Sequence, residues 1–171
     1  MANYVSQETH IIEFGPGTET AFINKSLPFL RAVKQFKSYV PVDLCETYLR
    51  QSQEIVGQQL PEISVKPIKE DFIKNVELVR NFTKPVVFFK GSTITNLSAK
   101  NCIDFLNKIC SALQPDGILI VGVDSNQNEL SLNKAYDTEK VAKFVLNIFH
   151  LINRDLSITN FNPTAFKYEF E

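Results

Sequence analysis

Glu13-Phe14-Gly15-Pro16-Gly17 is the stretch of this chain with the clearest capacity for chemistry. An acid ends a short apolar run, and the chain then turns through two glycines and a proline. Glycine takes backbone angles that a side chain forbids, and it lets a ligand come close to the main chain. In an open α/β sheet the loop after the first strand is where nucleotide-like ligands bind. A P-loop would need Gly-x-x-x-x-Gly-Lys followed by Ser or Thr, which the sequence lacks. A dinucleotide site wants a third glycine where Thr20 stands, and Pro16 removes an N–H from a turn meant to cradle a pyrophosphate.

S-adenosylmethionine suits the turn better, because it carries no phosphate and its ammonium and sulfonium favour an acid such as Glu13. A plain strand-to-loop turn is an equal reading of so short a motif. Two further acidic positions bear on the choice. Asp43 stands 26 residues after Gly17, at the end of a second short strand, where a carboxylate accepts from the hydroxyls of an adenosine ribose. The competing role is an N-cap for the helix at 46–58, and the two are compatible. Asp71-Phe72 follows a third strand; the pair can accept from an adenine amino group and pack on its ring, or be a capped turn with a core phenylalanine. Gly91-Ser92-Thr93-Ile94-Thr95-Asn96-Leu97 is a polar loop expected at the same sheet edge.

These positions require elements that carry them. Ile11–Phe14 is too short and too β-rich for a helix. Residues 20–37 read as helical, with a restart at Ser26-Leu27-Pro28, since proline is tolerated in a first turn. Residues 38–43 form a strand in which Pro41 suits an edge or irregular position. Residues 62–68 alternate like an edge strand. Residues 84–90 are a central strand, because a near-continuous apolar run suits a parallel strand covered on both faces. Ser98 caps a helix through 113 with Ile103, Leu106, Ile109, Cys110 and Leu113 as its apolar stripe, which makes Cys110 a core residue. A strand at 118–123 follows, then a helix at 138–154 with its stripe on Val141, Phe144, Val145, Ile148 and Ile152, and a last strand at 165–170. His10 has no nearby Cys, Asp or Glu pairing to make it a base or ligand, and His150 reads as a solvated residue opposite the apolar stripe of its helix, so no catalytic residue is assigned.

The totals narrow the function classes. A chain of 171 residues, 44% hydrophobic and 22% charged, is expected to be one domain with a sizeable core. A net charge of −1 gives no electrostatic case for nucleic acid. No apolar run reaches membrane-spanning length, and the first ten residues lack the pattern of a signal peptide. Cys45, Cys102 and Cys110 lack metal-like spacing and read as reduced thiols in a cytoplasmic protein. No metal site is expected.

The segments around Glu13-Phe14-Gly15-Pro16-Gly17-Thr18, Tyr39-Val40-Pro41-Val42-Asp43, Phe88 to Leu97, Gly122-Val123-Asp124, Ala135-Tyr136-Asp137 and Asn153-Arg154-Asp155-Leu156 together carry a resemblance. In that order they resemble the histidine-specific, S-adenosylmethionine-dependent methyltransferases, and the Gly-Ser-Thr-Ile-x-Asn loop is the most specific part. The resemblance implies an α/β, Rossmann-like class I methyltransferase fold: a mostly parallel sheet with helices on both faces, its last strands missing. It implies a single cofactor-binding domain over 1–171, with Glu13, Gly15, Gly17, Asp43, Asp71, Phe72, Gly91 and Ser92 around S-adenosylmethionine. Asn96 and Tyr136 match positions that hold the head group of a small amino-acid substrate. The implied reaction is methyl transfer to the α-amine of histidine or a related amino acid.

There are departures from the family pattern. A lysine expected soon after the glycine turn has no equivalent in Thr18-Glu19-Thr20-Ala21. The helical segment upstream of the first strand and the portion beyond residue 171 are expected to be cut away. That leaves a second reading, an inactive cofactor-binding or interaction module. It also leaves an unpaired sheet edge that invites a dimer or a partner chain.

Overall fold

The computed structural model describes residues 5–33, 35–113, 115–158 and 162–169. The chain divides into two compact units, 1–123 and 124–171.

The first unit is built on a parallel sheet of β1 (His10–Phe14), β2 (Ser38–Asp43), β3 (Ser64–Val65), β4 (Ile68–Lys69), β5 (Pro85–Phe89) and β6 (Ile118–Val121). The order is β3-β2-β1-β5-β6, with β4 also paired to β2. The expected single strand at 62–68 is thus two short pieces, because Pro67 interrupts the pairing. Pro41 sits within the pairing of β2, opposite Glu13 of β1, so β2 is interior despite its proline.

The period of two in the strands divides the core into two layers. Ile12, Phe14, Val40, Val42, Val87 and Phe89 face one side, where Phe105, Ile109, Ala112 and Leu113 of α4 (Ala99–Leu113) and the 3-10 turn Val76–Asn81 cover them. Ile11, Tyr39 and Phe88 face the other side, against Phe22, Leu27, Leu30 and Val33, and against Val56 of α3 (Glu46–Gln59). Glu13 falls on this second face by the same alternation.

The helical stretch after the glycine turn has three parts: α1 (Glu19–Ala21), a π-helical segment (Phe22–Ser26) and α2 (Leu27–Val33). Pro28 has no N–H for the carbonyl four residues back, and the preceding Leu27 N–H bonds to Phe22 O five residues back. That wider turn rotates Ser26 into the core, where it is fully buried.

Two expectations for the helices are corrected here. The buried stripe of α4 runs Phe105, Ile109, Ala112 and Leu113, while Ile103 and Cys110 are exposed. Cys110 lies one step of about 100° past Ile109 and so leaves the buried face. Asp43 is not the N-cap of α3; Cys45 holds that position, and Asp43 instead accepts from the Cys45 N–H at 2.8 Å.

The second unit comprises α5 (Glu129–Tyr136), α6 (Glu139–Leu156) and a 3-10 turn (Pro163–Ala165). Thr138 caps α6 by accepting from Val141 N. Within the unit, Phe144, Val145 and Ile148 of the α6 stripe are exposed. The last strand expected at 165–170 is absent from its described part. There Phe166 stacks on Phe149 at 4.1 Å and the Tyr168 hydroxyl donates to Tyr136 O at 3.2 Å, so the segment folds back on helices rather than onto a sheet.

Candidate functional site

Every strand of the sheet is parallel, so all carboxyl ends emerge at one edge. Numbering runs away from β1 in both directions, through β2 on one side and β5 on the other. That makes the gap between β1 and β5 a topological switch point, where ligands of open α/β sheets bind. The glycine turn leaves β1 at this gap. Gly15 has φ +70° and Gly17 φ +73°, angles that an L side chain rarely adopts, so the turn takes this shape without strain when glycine stands at both places. The Gly15 N–H donates to Val42 O at 2.9 Å and holds the turn against β2.

Asp43 stands at the end of β2, one strand away. One of its oxygens accepts from Cys45 N–H, and the other has no partner among the described residues. Asp71 and Phe72 follow β4. The Asp71 carboxylate accepts from Ile73 and Lys74 N–H at 3.1 and 3.3 Å and pairs with the Lys74 ammonium, which holds its pKa below the usual carboxylate value. Phe72 stacks on Phe14 at 4.8 Å with the rings nearly parallel, and meets Phe89 edge-on. A Cβ on Gly15 would lie 3.9 Å from the Phe72 ring, so this ring lies beside the turn. The capped turn with a packed phenylalanine is therefore what the geometry displays, and the half-buried ring still reaches solvent at the turn.

On the β5 side, the chain continues through Lys90 and Gly91 into the 3-10 turn Ser92–Asn96. Ile94 anchors this turn in the core layer of Phe14, and Asn96 is exposed on it. Gly122 lies behind Lys90. A Cβ there would come within 3.2 Å of Lys90 Cα, and the Gly122 N–H donates to Phe89 O. An apolar groove of about 510 Å³, lined by residues including Ile94, Leu97, Cys102 and Val121, flanks the turn. Tyr136 closes α5 in the second unit.

Glu13 differs from the expectation that it faces a ligand's cationic groups. It is fully buried beneath the turn. Its carboxylate accepts from the Ser26 hydroxyl at 2.8 Å and the Tyr39 hydroxyl at 2.5 Å, and it forms an ion pair with Lys90. Burial and the neighbouring carboxylate raise the Tyr39 phenol well above its ordinary pKa, so Tyr39 stays a donor at physiological pH. The Lys90 ammonium also bonds to Ser26 Oγ and reaches Pro16 O at 3.4 Å. It lies 5.8 Å from the ring centroids of Phe22 and Phe88. Sequence reasoning missed Ser26, Tyr39 and Lys90 as site residues. The available signal was a cation ending an otherwise apolar strand, two residues after Phe88 and so on the same face as Glu13.

Comparison with known proteins bears on this arrangement. The sequence model of a protein family described as "Histidine-specific methyltransferase, SAM-dependent" matches residues 1–171. The chain belongs to this family. Among individual relatives, it is 28% identical over 160 residues to the histidine N-alpha-methyltransferase of Mycolicibacterium smegmatis and 25% identical to that of Mycobacterium tuberculosis. Each match covers 92% of this chain and 49% of the relative, so the chain spans about half the length of the curated relatives it matches. An rRNA methylase from Streptococcus thermophilus superimposes with a TM-score of 0.50 at 14% identity, over 82% of this chain and 76% of that one. That likeness shows the α/β methyltransferase fold expected from the sequence.

Proposed function

We propose that this chain binds S-adenosylmethionine at the carboxyl edge of its sheet and serves methyl transfer to the α-amine of histidine or a related amino acid. The observation that carries the reading is the turn Gly15-Pro16-Gly17, with both glycines at positive φ, at the switch point between β1 and β5. The family match over 1–171 supports treating the whole length as parts of one cofactor-binding methyltransferase domain.

The bound cofactor supplies an electrophilic methyl on a sulfonium. Gly15 and Gly17 offer open main chain to its amino-acid end. The unpartnered oxygen of Asp43 accepts from ribose hydroxyls, and Phe72 packs on the adenine beside Asp71. Gly91 and Ser92 close the β5 side. Asn96 holds the substrate head group, and Tyr136 matches a position to which the family resemblance gives the same role. Glu13 acts from beneath the turn, through the groups that it fixes. None of these residues has to act as a covalent nucleophile, since the reaction rests on holding a neutral amine in line with the methyl.

The partners follow from the same frame. A small amino acid is the substrate, with no case for nucleic acid at a net charge of −1, and no described helix is long and apolar enough to cross a membrane. Three free thiols suit a cytoplasmic setting. β6 pairs only with β5 among the described residues, and that open edge is where a second copy or partner chain adds its own strand. Light scattering on the purified chain checks this point: a species heavier than 19.4 kDa is expected, and a strict monomer alone in solution argues for a separate partner.

The function is tested with methyl-labelled S-adenosylmethionine and a panel of free amino acids. Label should pass to histidine or a close relative. Cofactor binding with no transfer to any of them would contradict catalysis by this chain alone, and absence of binding would contradict the site.

A further inference from the structure

Lys90 and Glu13 form a buried ion pair, with their side chains 10% and 0% exposed. A buried pair of this kind is a poor source of stability, since two apolar groups of similar volume serve a core as well or better. What it adds is direction. The ammonium has three hydrogens, and the structure shows an acceptor for each: the Glu13 carboxylate, Ser26 Oγ and Pro16 O. These acceptors belong to β1, the π-helical segment and the glycine turn. Ser26 receives from Lys90 and passes its own hydrogen to Glu13, while Tyr39 fills the other carboxylate oxygen. With every donor engaged, the ammonium has none left for an anion of a ligand, so Lys90 does not bind one directly.

The contact at Pro16 sits between the two glycines. Glycines at positive φ confer shape only when something holds them, because the same freedom permits many other shapes. Gly15 is tied to β2 through its N–H, and the Pro16 carbonyl is tied to β5 through Lys90. Lys90 is itself fixed from behind by the close approach of Gly122. We propose that Lys90 is a positioning residue, whose ammonium holds the Pro16 carbonyl and so keeps the glycine turn in the shape that receives the amino-acid end of S-adenosylmethionine. This rests on the cofactor site proposed above.

The test compares two probes that share the nucleoside and differ at the amino-acid end: S-adenosylhomocysteine and methylthioadenosine. Binding of both is measured by calorimetry on the wild type, on the charge-balanced double variant E13Q/K90M and on K90R. The double variant leaves no lone buried charge. K90R keeps the charge, but its planar fork cannot offer three donors from one nitrogen. Each folded variant should lose about tenfold or more in affinity for S-adenosylhomocysteine while holding methylthioadenosine as the wild type does, a selective change of about 1.4 kcal/mol per tenfold. A folded variant that binds both probes like the wild type overturns the proposal, as does one in which both affinities fall together, since that marks a general structural role. Should E13Q/K90M not fold, K90R alone decides. A wild type that binds neither probe overturns the cofactor site itself, and the proposal with it.

Discussion

Removing Lys90 alone leaves Glu13 charged, fully buried and short of its counter-ion. K90M should therefore lose about 3–5 kcal/mol in urea unfolding, whereas E13Q/K90M should regain most of it, because the penalty comes from the lone charge rather than from the lost pair. A double variant as unstable as K90M would contradict that account. His10 gives a pH prediction. Its ring meets Ser38 Oγ at 2.6 Å across the β1–β2 register, and burial, followed by the nearby Lys37 and Lys66, lowers its pKa below the ordinary 6.5. The neutral form is then favoured by folding. Its contribution is complete above pH 6.5 and is lost as the pH falls from 6.5 through the lower folded value, where the unfolded chain takes up more protons. The urea midpoint should drop between about pH 7.5 and pH 5.5, and His10→Gln should flatten that drop. The glycine turn and the position of Asp43 were legible from residue type and spacing. The partner of Glu13 was not, because Lys90 is 77 positions away and only the parallel pairing of β1 with β5 brings the two together.

Helices were legible where the pattern of a single element decided them. Thr138 and the apolar spacing after it give α6 within two residues of its observed end, and Ser98 begins α4 as expected, its hydroxyl accepting from Asn101 N. The face that α4 buries differs from the one its spacing predicts. Phe105 belongs to the buried stripe, and its inclusion turns that face away from Ile103 and Cys110. Substitution separates the two faces: Ile109→Ala should cost about 2–5 kcal/mol as a core truncation, and Cys110→Ala should stay within about 0.5 kcal/mol as a surface change. Equal effects in urea unfolding would return Cys110 to the core. The π-helical segment could not be anticipated, since Ser26-Leu27-Pro28 reads equally well as a simple helix restart; its consequence, Ser26 turned inward to Glu13, emerges only when the wide turn meets β1. The last expected strand failed for a related reason. Alternating residues after Pro163 describe what a segment can pair with, and here Phe166 and Tyr168 find helices.

The first unit draws its parts together through sheet order alone. Five β-rich segments were readable one by one, and placing β1 between β2 and β5 puts Gly15, Asp43, Phe72 and Gly91 along one edge. Four separate stretches of sequence thereby meet at one edge of the sheet, on a chain that spans about half the length of the histidine N-alpha-methyltransferases it matches. The claim that this edge receives S-adenosylmethionine is tested most directly by titrating the amide-labelled chain with S-adenosylhomocysteine and following backbone resonances. Saturable shifts should concentrate at Gly15, Gly17, Asp43, Phe72 and Gly91, with the opposite edge of the sheet around Ser6 and Lys84 unmoved. A saturating titration that shifts the Ser6 and Lys84 edge instead, or shifts nothing, would contradict the site.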